Sequence, residues 1–276
     1  MIRPPAIDTI TALIAEASET LILPRFRHLR PEDIEDKSTS PDREDLVTAV
    51  DRDVEAWLTG QLARLEPGAT VIGEEAVHAR PDLVDLIATD QPLWIVDPID
   101  GTKNFARGLD GFGVMVSRVQ AGQTLAAWVM LPARGDMFVA ESGAGTRLNG
   151  ERLRVQSSAP PDAPSGTLFV RYMPTGLRAS VTAVAADRFT IVSDSACAAV
   201  EYTEIVRGRQ DFAVYFRLLP WDHAAPALIL TEAGGRVDHL SGAAYSVRSE
   251  NQVTVVARSA KVSAQVRASL DAGIMR

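Results

Sequence analysis

Trp94-Ile-Val-Asp97-Pro-Ile-Asp100-Gly101-Thr102-Lys103-Asn-Phe105 decides how the rest of the chain is read. The apolar run through Val96 reads as a strand, and Pro98, which cannot donate to a ladder, predicts its end. Asp97 and Asp100 are then left at a strand tip where no sheet hydrogen bond neutralises them, and they repel each other unless a cation lies between them. A hard divalent ion on oxygen ligands answers that need, and magnesium takes one or two carboxylates and keeps waters for a substrate to replace. Gly101 permits a sharp turn and close approach of the backbone, and Thr102 is expected to cap a following helix through its hydroxyl. Amides at such a helix start suit a phosphate group. Taken alone, Asp-Gly-Thr after a strand reads as no more than a turn with a capping threonine.

Upstream, Ile7, Ile10, Leu13, Ile14, Ala17 and Leu21 share one face at helical spacing, which predicts an amphipathic helix over about 7–23. Residues 31–45 are polar, hold two prolines and show no period, so a mobile surface loop carrying Lys37 is expected. From Asp45 onward, Val47, Val50, Val54, Trp57, Leu58, Leu62 and Leu65 predict a second helix that Pro67-Gly68 ends. Thr70-Val-Ile-Gly-Glu-Glu75 reads as a short strand. Downstream, 111–120, 124–131, 136–141 and 146–155 predict strands of an antiparallel sheet, with turns such as Gln120-Ala121-Gly122 and Asn149-Gly150. The proline- and serine-rich run 157–166 marks a boundary between an N-terminal α+β domain, 1–156, and a C-terminal α/β domain, 157–276. In the second, strands (167–170, 189–192, 212–216, 253–256) alternate with helices (179–186, 198–207, 221–233, 260–270), which predicts a small α/β layer.

A length of 276 residues with 46% hydrophobic and 23% charged content suits a globular chain with a sizeable core. The net charge of -8 argues against a general nucleic-acid binder, although bound cations can invert charge locally. One cysteine, Cys197, rules out an internal disulfide and a multi-cysteine zinc site; in its alanine-rich stretch it reads as a buried small hydrophobe. The start, MIRPPAIDTI, carries no basic segment followed by an apolar run, and no apolar stretch reaches the ~20 residues of a membrane helix. A cytoplasmic chain with no membrane partner is the expectation. His28, His78, His223 and His239 lack ligand-like spacing and are expected on the surface or on helices.

Other acids join the first pair. Glu74, after Gly73, could lie at a strand end; Asp45-Leu-Val-Thr48-Ala-Val-Asp51 opens a helix; Trp221-Asp222-His-Ala-Ala opens another, with Asp222 in its first turn. Each alone reads as a solvated turn acid or as a carboxylate at the positive end of a helix. Their joint occurrence in this order, with Thr231-Glu-Ala-Gly-Gly235, resembles the inositol monophosphatase superfamily of lithium-sensitive, magnesium-dependent phosphatases over nearly the whole chain.

That resemblance implies a layered αβαβα sandwich, with an antiparallel sheet in the N-terminal half and a smaller mixed sheet with helices in the C-terminal half. It implies a phosphomonoesterase of the inositol-1-phosphate type using Mg2+, two or three ions. Glu74, Asp97 and the Ile99 carbonyl would hold one, and Asp97, Asp100 and Asp222 a second, ~3.5–4 Å away. Thr102 and Asp45, with Glu74, would be the catalytic group that orients and deprotonates the attacking water. The Gly101 and Thr102 amides would bind phosphate, and Lys37 would be the lysine of a mobile loop that helps complete the metal site. A homodimer, lithium inhibition and a small phosphate monoester as partner are also implied.

Two positions depart from the family pattern. Where inositol-specific members carry a sugar-binding glutamate six residues before Trp-Asp, this chain has Tyr215, and where a second threonine is usual it has Lys103. Lysine there resembles members acting on histidinol phosphate or on 3'(2'),5'-bisphosphate nucleotides. Lys103, Arg171, Tyr215 and Arg217 are therefore candidate contacts for the leaving group. Two other function classes are a catalytically silent metal-binding module and a metal-free glycosidase with paired acids.

Overall fold

The computed structural model describes residues 5–37, 46–155 and 161–274. In chain order the elements are α1 (Ile7–Ala17), β1 (Ile34–Asp36), β2 (Leu46–Thr48), α2 (Ala49–Leu65), β3 (Thr70–Gly73), α3 (Glu74–Ala79), β4 (Leu93–Asp100) and α4 (Thr102–Ala106). A run of strands follows: β5 (Gly113–Gln120), β6 (Gln123–Leu131), β7 (Asp136–Glu141), β8 (Gly145–Leu148) and β9 (Glu151–Leu153). The last part holds β10 (Ser165–Phe169), α5 (Thr175–Arg188), β11 (Thr190–Ile191), α6 (Ala198–Val206), β12 (Phe212–Tyr215), α7 (Pro220–Glu232), β13 (Arg236–His239), β14 (Thr254–Ala257) and α8 (Ala260–Ile274).

Strands β3 to β9 form a seven-stranded sheet in sequence order, and a five-stranded sheet has the order β11-β10-β12-β14-β13. Alternation along the strands sorts side chains between layers. Val114 and Val116 of β5 pack with Ile10 and Ile14 of α1 and Val54 and Leu58 of α2. Met115 of β5 and Ala127 and Val129 of β6 face the other way, onto Ile205 of α6, Ile229 of α7 and Ala213 of β12. The far face of the small sheet, Phe212, Val214 and Val255, packs on Val181 of α5 and Val262 and Val266 of α8. The result is five layers, αβαβα, with these clusters stacked between them and a further one, with Ile72, Ile95 and Trp221, beside the ends of β3 and β4.

Details differ from the sequence reading. The large sheet is not wholly antiparallel, because β3 and β4 pair in parallel. The helical period of the first segment continues past α1 as a π-helical turn, Ser18–Ile22. Part of the loop expected over 31–45 is a strand: β1 pairs antiparallel with β2, and residues 38–45, with Asp45, lie outside the described residues. The Asn149-Gly150 turn has φ of 49° and 85°, the left-handed pair of a tight hairpin, so 146–155 folds into two strands, β8 and β9. β13 escaped the reading because Arg236-Val-Asp-His239 hides its strand character behind polar residues. Glu66, buried at the end of α2, receives two nitrogens of Arg118 on β5 and the Trp94 indole N–H at 3.0 Å, which pins the helix to the sheet. Among the described residues no helix is long and apolar enough to cross a membrane.

Candidate active site

The parallel pairing of β3 and β4 builds the acidic centre. Gly73 lies opposite Val96, so the next residues, Glu74 and Asp97, leave the same end of the sheet side by side. Pro98 does not end β4; pairing with β5 resumes at Asp100, with three steps on β4 against two on β5, a bulge that absorbs the missing N–H. Gly101 then turns at φ 81°, where a Cβ would meet the Gly111 carbonyl oxygen at 2.8 Å. Asp222 comes from the first turn of α7. Glu74, Asp97, Asp100 and Asp222 line one cavity of about 540 Å³, together with Ile99, Gly101, Thr102 and Lys103.

Burial is the largest influence on these acids. It raises the Asp97 carboxyl well above its ordinary value, and Glu74, Asp100 and Asp222 push it further up. Glu74 is raised by burial and then by Asp222. Asp100 rises to about 6, also through burial, held back by the Ala199 N–H at 2.6 Å and the Cys197 thiol at 3.1 Å. One carboxylate oxygen of Asp97, Oδ1, is buried with no hydrogen-bond partner among the described residues. A divalent cation would satisfy both the orphaned oxygen and the mutual repulsion, and a set of carboxylates with a carbonyl is the donor chemistry of magnesium. Among the described residues no three His, Cys, Asp or Glu form a group already gathered so as to hold a metal ion. The Asp100 carboxylate explains part of this, since it is engaged by the start of α6.

Supporting residues surround this centre. The Thr102 hydroxyl does not cap α4, whose N-cap is Gly101 in the left-handed region; it lies 2.9 Å from the Ile99 carbonyl and 3.1 Å from Asp51 Oδ1. The other Asp51 oxygen accepts the Thr48 N–H at 2.9 Å and the Thr48 hydroxyl at 2.5 Å, closing a capping box on α2. Burial raises Asp51 to about 6. Lys37 Nζ is 2.8 Å from Glu75 Oε1 with its side chain 6% exposed, so it is an interior partner of the acidic group rather than a solvated loop residue. Glu55 of α2 accepts the Glu75 and Ala76 N–H groups, each at 2.8 Å, and fixes the turn that carries Glu74.

The same cavity is lined by Arg171, Tyr172, Arg178, Tyr215 and Arg217. The Tyr215 ring stacks on Phe169 at 4.4 Å, and its buried hydroxyl has no partner among the described residues. His223 is buried rather than on the surface; its Nε2–H donates to the Arg217 carbonyl at 3.1 Å, leaving Nδ1 to accept from the Tyr202 hydroxyl. Burial lowers it to about 4, so it is a neutral structural ring. His239 is buried too, between the hydroxyls of Thr254 and Ser249.

The family model for the inositol monophosphatase family matches residues 5–274. The chain belongs to the inositol monophosphatase family. A fructose-1,6-bisphosphatase/inositol-1-monophosphatase of Thermotoga maritima is 32% identical over 207 residues, 75% of this chain and 76% of that protein. The Nus factor SuhB of Escherichia coli strain K12 is 33% identical over 205 residues, 72% of this chain and 73% of that one. Among solved structures, a Thermotoga maritima IMPase matches with a TM-score of 0.79 at 26% identity, covering 97% of each chain.

Within this inositol monophosphatase family member, the structure brings Glu74, Asp97, Ile99, Asp100, Gly101, Thr102, Lys103, Arg171, Tyr215, Arg217 and Asp222 to one cavity. Asp45 lies outside the described residues. Sequence reasoning missed Asp51 as the partner of Thr102, although its place at the third helical position after Thr48 carries the capping-box signal. It also missed Glu55, which has no local signal because it acts across 20 residues. Cys197 is buried as expected, but it is the N-cap of α6 and donates to Asp100.

Proposed function

We propose that this chain is a magnesium-dependent phosphomonoesterase acting on a small phosphorylated metabolite. The observation that carries the reading is Asp97, buried between Glu74, Asp100 and Asp222 with an orphaned carboxylate oxygen beside a cavity large enough for a small ester. Glu74, Asp97 and the Ile99 carbonyl would hold one ion, and Asp97, Asp100 and Asp222 a second. When bound, magnesium supplies positive charge that acidifies water and offsets charge on the phosphoryl oxygens.

The chain's own groups do the rest. The Thr102 hydroxyl, directed by Asp51 and the Ile99 carbonyl, keeps oxygen lone pairs for a water to donate to. Glu74, at the start of α3, would receive the proton, with Asp51 holding the Thr102 hydroxyl in place and Asp45 kept as a further candidate at this step. The Gly101 and Thr102 amides orient the phosphate, and Lys37, paired with Glu75, moderates the negative field at Glu74. A homodimer and sensitivity to lithium complete the reading, by likeness to the family.

Phosphate release from a panel of monoesters tests it. Activity is expected with Mg2+, lost in chelator and restored by adding the ion back. Asp97→Asn is expected to lower kcat by at least about 1000-fold while the protein stays folded, because one charge leaves a crowded buried set. Retained turnover in chelator or in Asp97→Asn refutes the reading. A catalytically silent module is the second reading, in view of the 33% identity to a protein named a Nus factor; metal binding without turnover on any ester is its signature.

A further inference from the structure

The acidic centre is only one end of the cavity's chemistry. A second parallel pair, β10 with β12, places Phe169 opposite Tyr215, so Arg171 and Arg217 stand two residues beyond the same strand ends. Both line the cavity, and Arg178 of α5 lines it as well. Arg217 lies with its guanidinium carbon 3.8 Å from the centre of the Tyr172 ring, and Arg171 approaches the same ring at 5.9 Å. Stacking on a ring face holds a guanidinium flat and leaves its N–H edges for a ligand. The His223 bond to the Arg217 carbonyl fixes the backbone below it.

These arginines differ from most others in the chain. Arg25, Arg27, Arg118, Arg207, Arg236 and Arg258 each face a carboxylate. Arg171, Arg178 and Arg217 make no ion pair among the described residues. Besides the four carboxylates of the acidic centre, Asp194 shares the cavity lining, and its Oδ1 accepts the Ala196 N–H at 3.0 Å. Arg171 and Arg217, gathered over one tyrosine ring with no ion pair among the described residues, repel each other, and an anion between them relieves that repulsion. A second unmet need lies beside them: the Tyr215 hydroxyl, 5% exposed as a residue and without a partner among the described residues, is a donor at the wall of the same cavity.

We infer that Arg171, Arg217 and Tyr215 form a subsite for a second anionic group, so that the substrate is a phosphate ester carrying a further phosphate or carboxylate on its leaving group. This rests on the phosphatase reading above and narrows it. A neutral polyol phosphate leaves the guanidinium groups unpaired, and an amine-bearing ester such as histidinol phosphate brings like charge against them. One net charge-assisted hydrogen bond from arginine corresponds to a preference of about 10- to 100-fold for the second anion.

The test uses matched esters on the full chain with Mg2+: fructose 1,6-bisphosphate against fructose 1-phosphate, adenosine 3',5'-bisphosphate against adenosine 3'-phosphate, and 3-phosphoglycerate against glycerol 3-phosphate. The first two pairs report a second phosphate and the third a carboxylate. At least one pair is expected to favour the doubly anionic ester in kcat/KM by about 10- to 100-fold, chiefly through KM. That ratio is expected to collapse toward unity in Arg171→Gln/Arg217→Gln, and to fall partway in Arg171→Gln alone, an exposed change that breaks no ion pair. Equal rates within every pair, or a preference that survives the double variant, overturns the inference. If no ester is cleaved with Mg2+, the phosphatase reading fails. Calorimetric binding of the two bisphosphates then decides the subsite: tighter binding to the native chain than to the double variant supports it, and equal binding overturns it.

Discussion

Glu74 owes its place to a glycine. Gly73 has φ -105° and ψ 157°, ordinary extended backbone, so alanine there carries no conformational strain. What it carries is a collision, since a Cβ built on Gly73 runs into the carboxyl carbon and both oxygens of Glu55. That carboxylate is 6% exposed as a residue, and its two oxygens accept the Glu75 and Ala76 N–H groups at 2.8 Å. Gly73→Ala must therefore expel the carboxylate or displace the turn that holds Glu74. Hydrogen bonds to a charged group contribute about 1.5–3 kcal/mol each, so loss of both is expected to cost about 3–6 kcal/mol of unfolding free energy.

A double-mutant cycle isolates the cause. Glu55→Ala removes the obstacle together with the bonds, so in that background Gly73→Ala should cost less than about 1 kcal/mol, or even stabilise by restricting the unfolded chain. Denaturant unfolding of the four proteins gives the coupling, expected at about 2 kcal/mol or more. Phosphate release by Gly73→Ala is expected to fall by about 100-fold if the turn moves by the order of 1 Å. Additive costs, within about 0.5 kcal/mol, refute the claim that the Glu55 carboxylate is the reason for Gly73.

Three further outcomes are expected. Glu66→Ala strands Arg118 in the interior and should cost about 3–5 kcal/mol in denaturant unfolding, with little change in KM. Thr102→Val should lower kcat by about 100-fold with KM nearly kept, whereas Thr102→Ser should restore most of the rate, because only the hydroxyl between Asp51 and Ile99 is at stake. Asp51, about 6 when folded against an ordinary 3.8, and Glu55, about 7 against 4.5, hold protons in the folded chain that the unfolded chain has released. Their protonation therefore favours folding below the folded values, so raising pH from about 5 to 8 in chelator should lower the unfolding midpoint, through a loss of stability of about 1.4 kcal/mol from Asp51 and about 2.5 kcal/mol from Glu55. His223, about 4 when folded, works the other way and offsets part of this below its ordinary 6.5. A midpoint that rises across pH 6.5 to 8 contradicts the assignment.

The layer order was legible because each element announces itself over many residues: α2 by its apolar face from Val50 to Leu62, β5 and β6 by length and apolar content. The acids were legible as a set through the order of their motifs, since each alone reads as a turn acid or a helix-start carboxylate. What the sequence hid is pairing at a distance. Nothing near Thr102 points to Asp51, nothing near Glu74 points to Glu55, and the helical fit of 49–65 treats Glu55 as one more polar residue. The burial of His223, which does lie on a helix as expected, and of His239, which does not, was hidden for the same reason, since their hydroxyl and carbonyl partners lie from 6 to 21 residues away.

One device, used twice, explains why acids and bases meet in a single cavity. Parallel neighbours deliver equivalent residues to the same sheet end, and ligands of open sheets gather beyond the carboxyl ends of strands. The register Gly73 to Val96 delivers Glu74 and Asp97; the register Phe169 to Tyr215 delivers Arg171 and Arg217. Antiparallel pairing would have sent each partner to opposite ends. The parallel pair β3 and β4, absent from the sequence reading of an antiparallel sheet, is thus what turns four scattered carboxylates into a centre. A one-residue slip in either register would break one half of the cavity and leave the other intact, so the carboxylate end and the guanidinium end can vary independently. That independence lets Tyr215 depart from the family pattern while Glu74, Asp97, Asp100 and Asp222 line the same cavity.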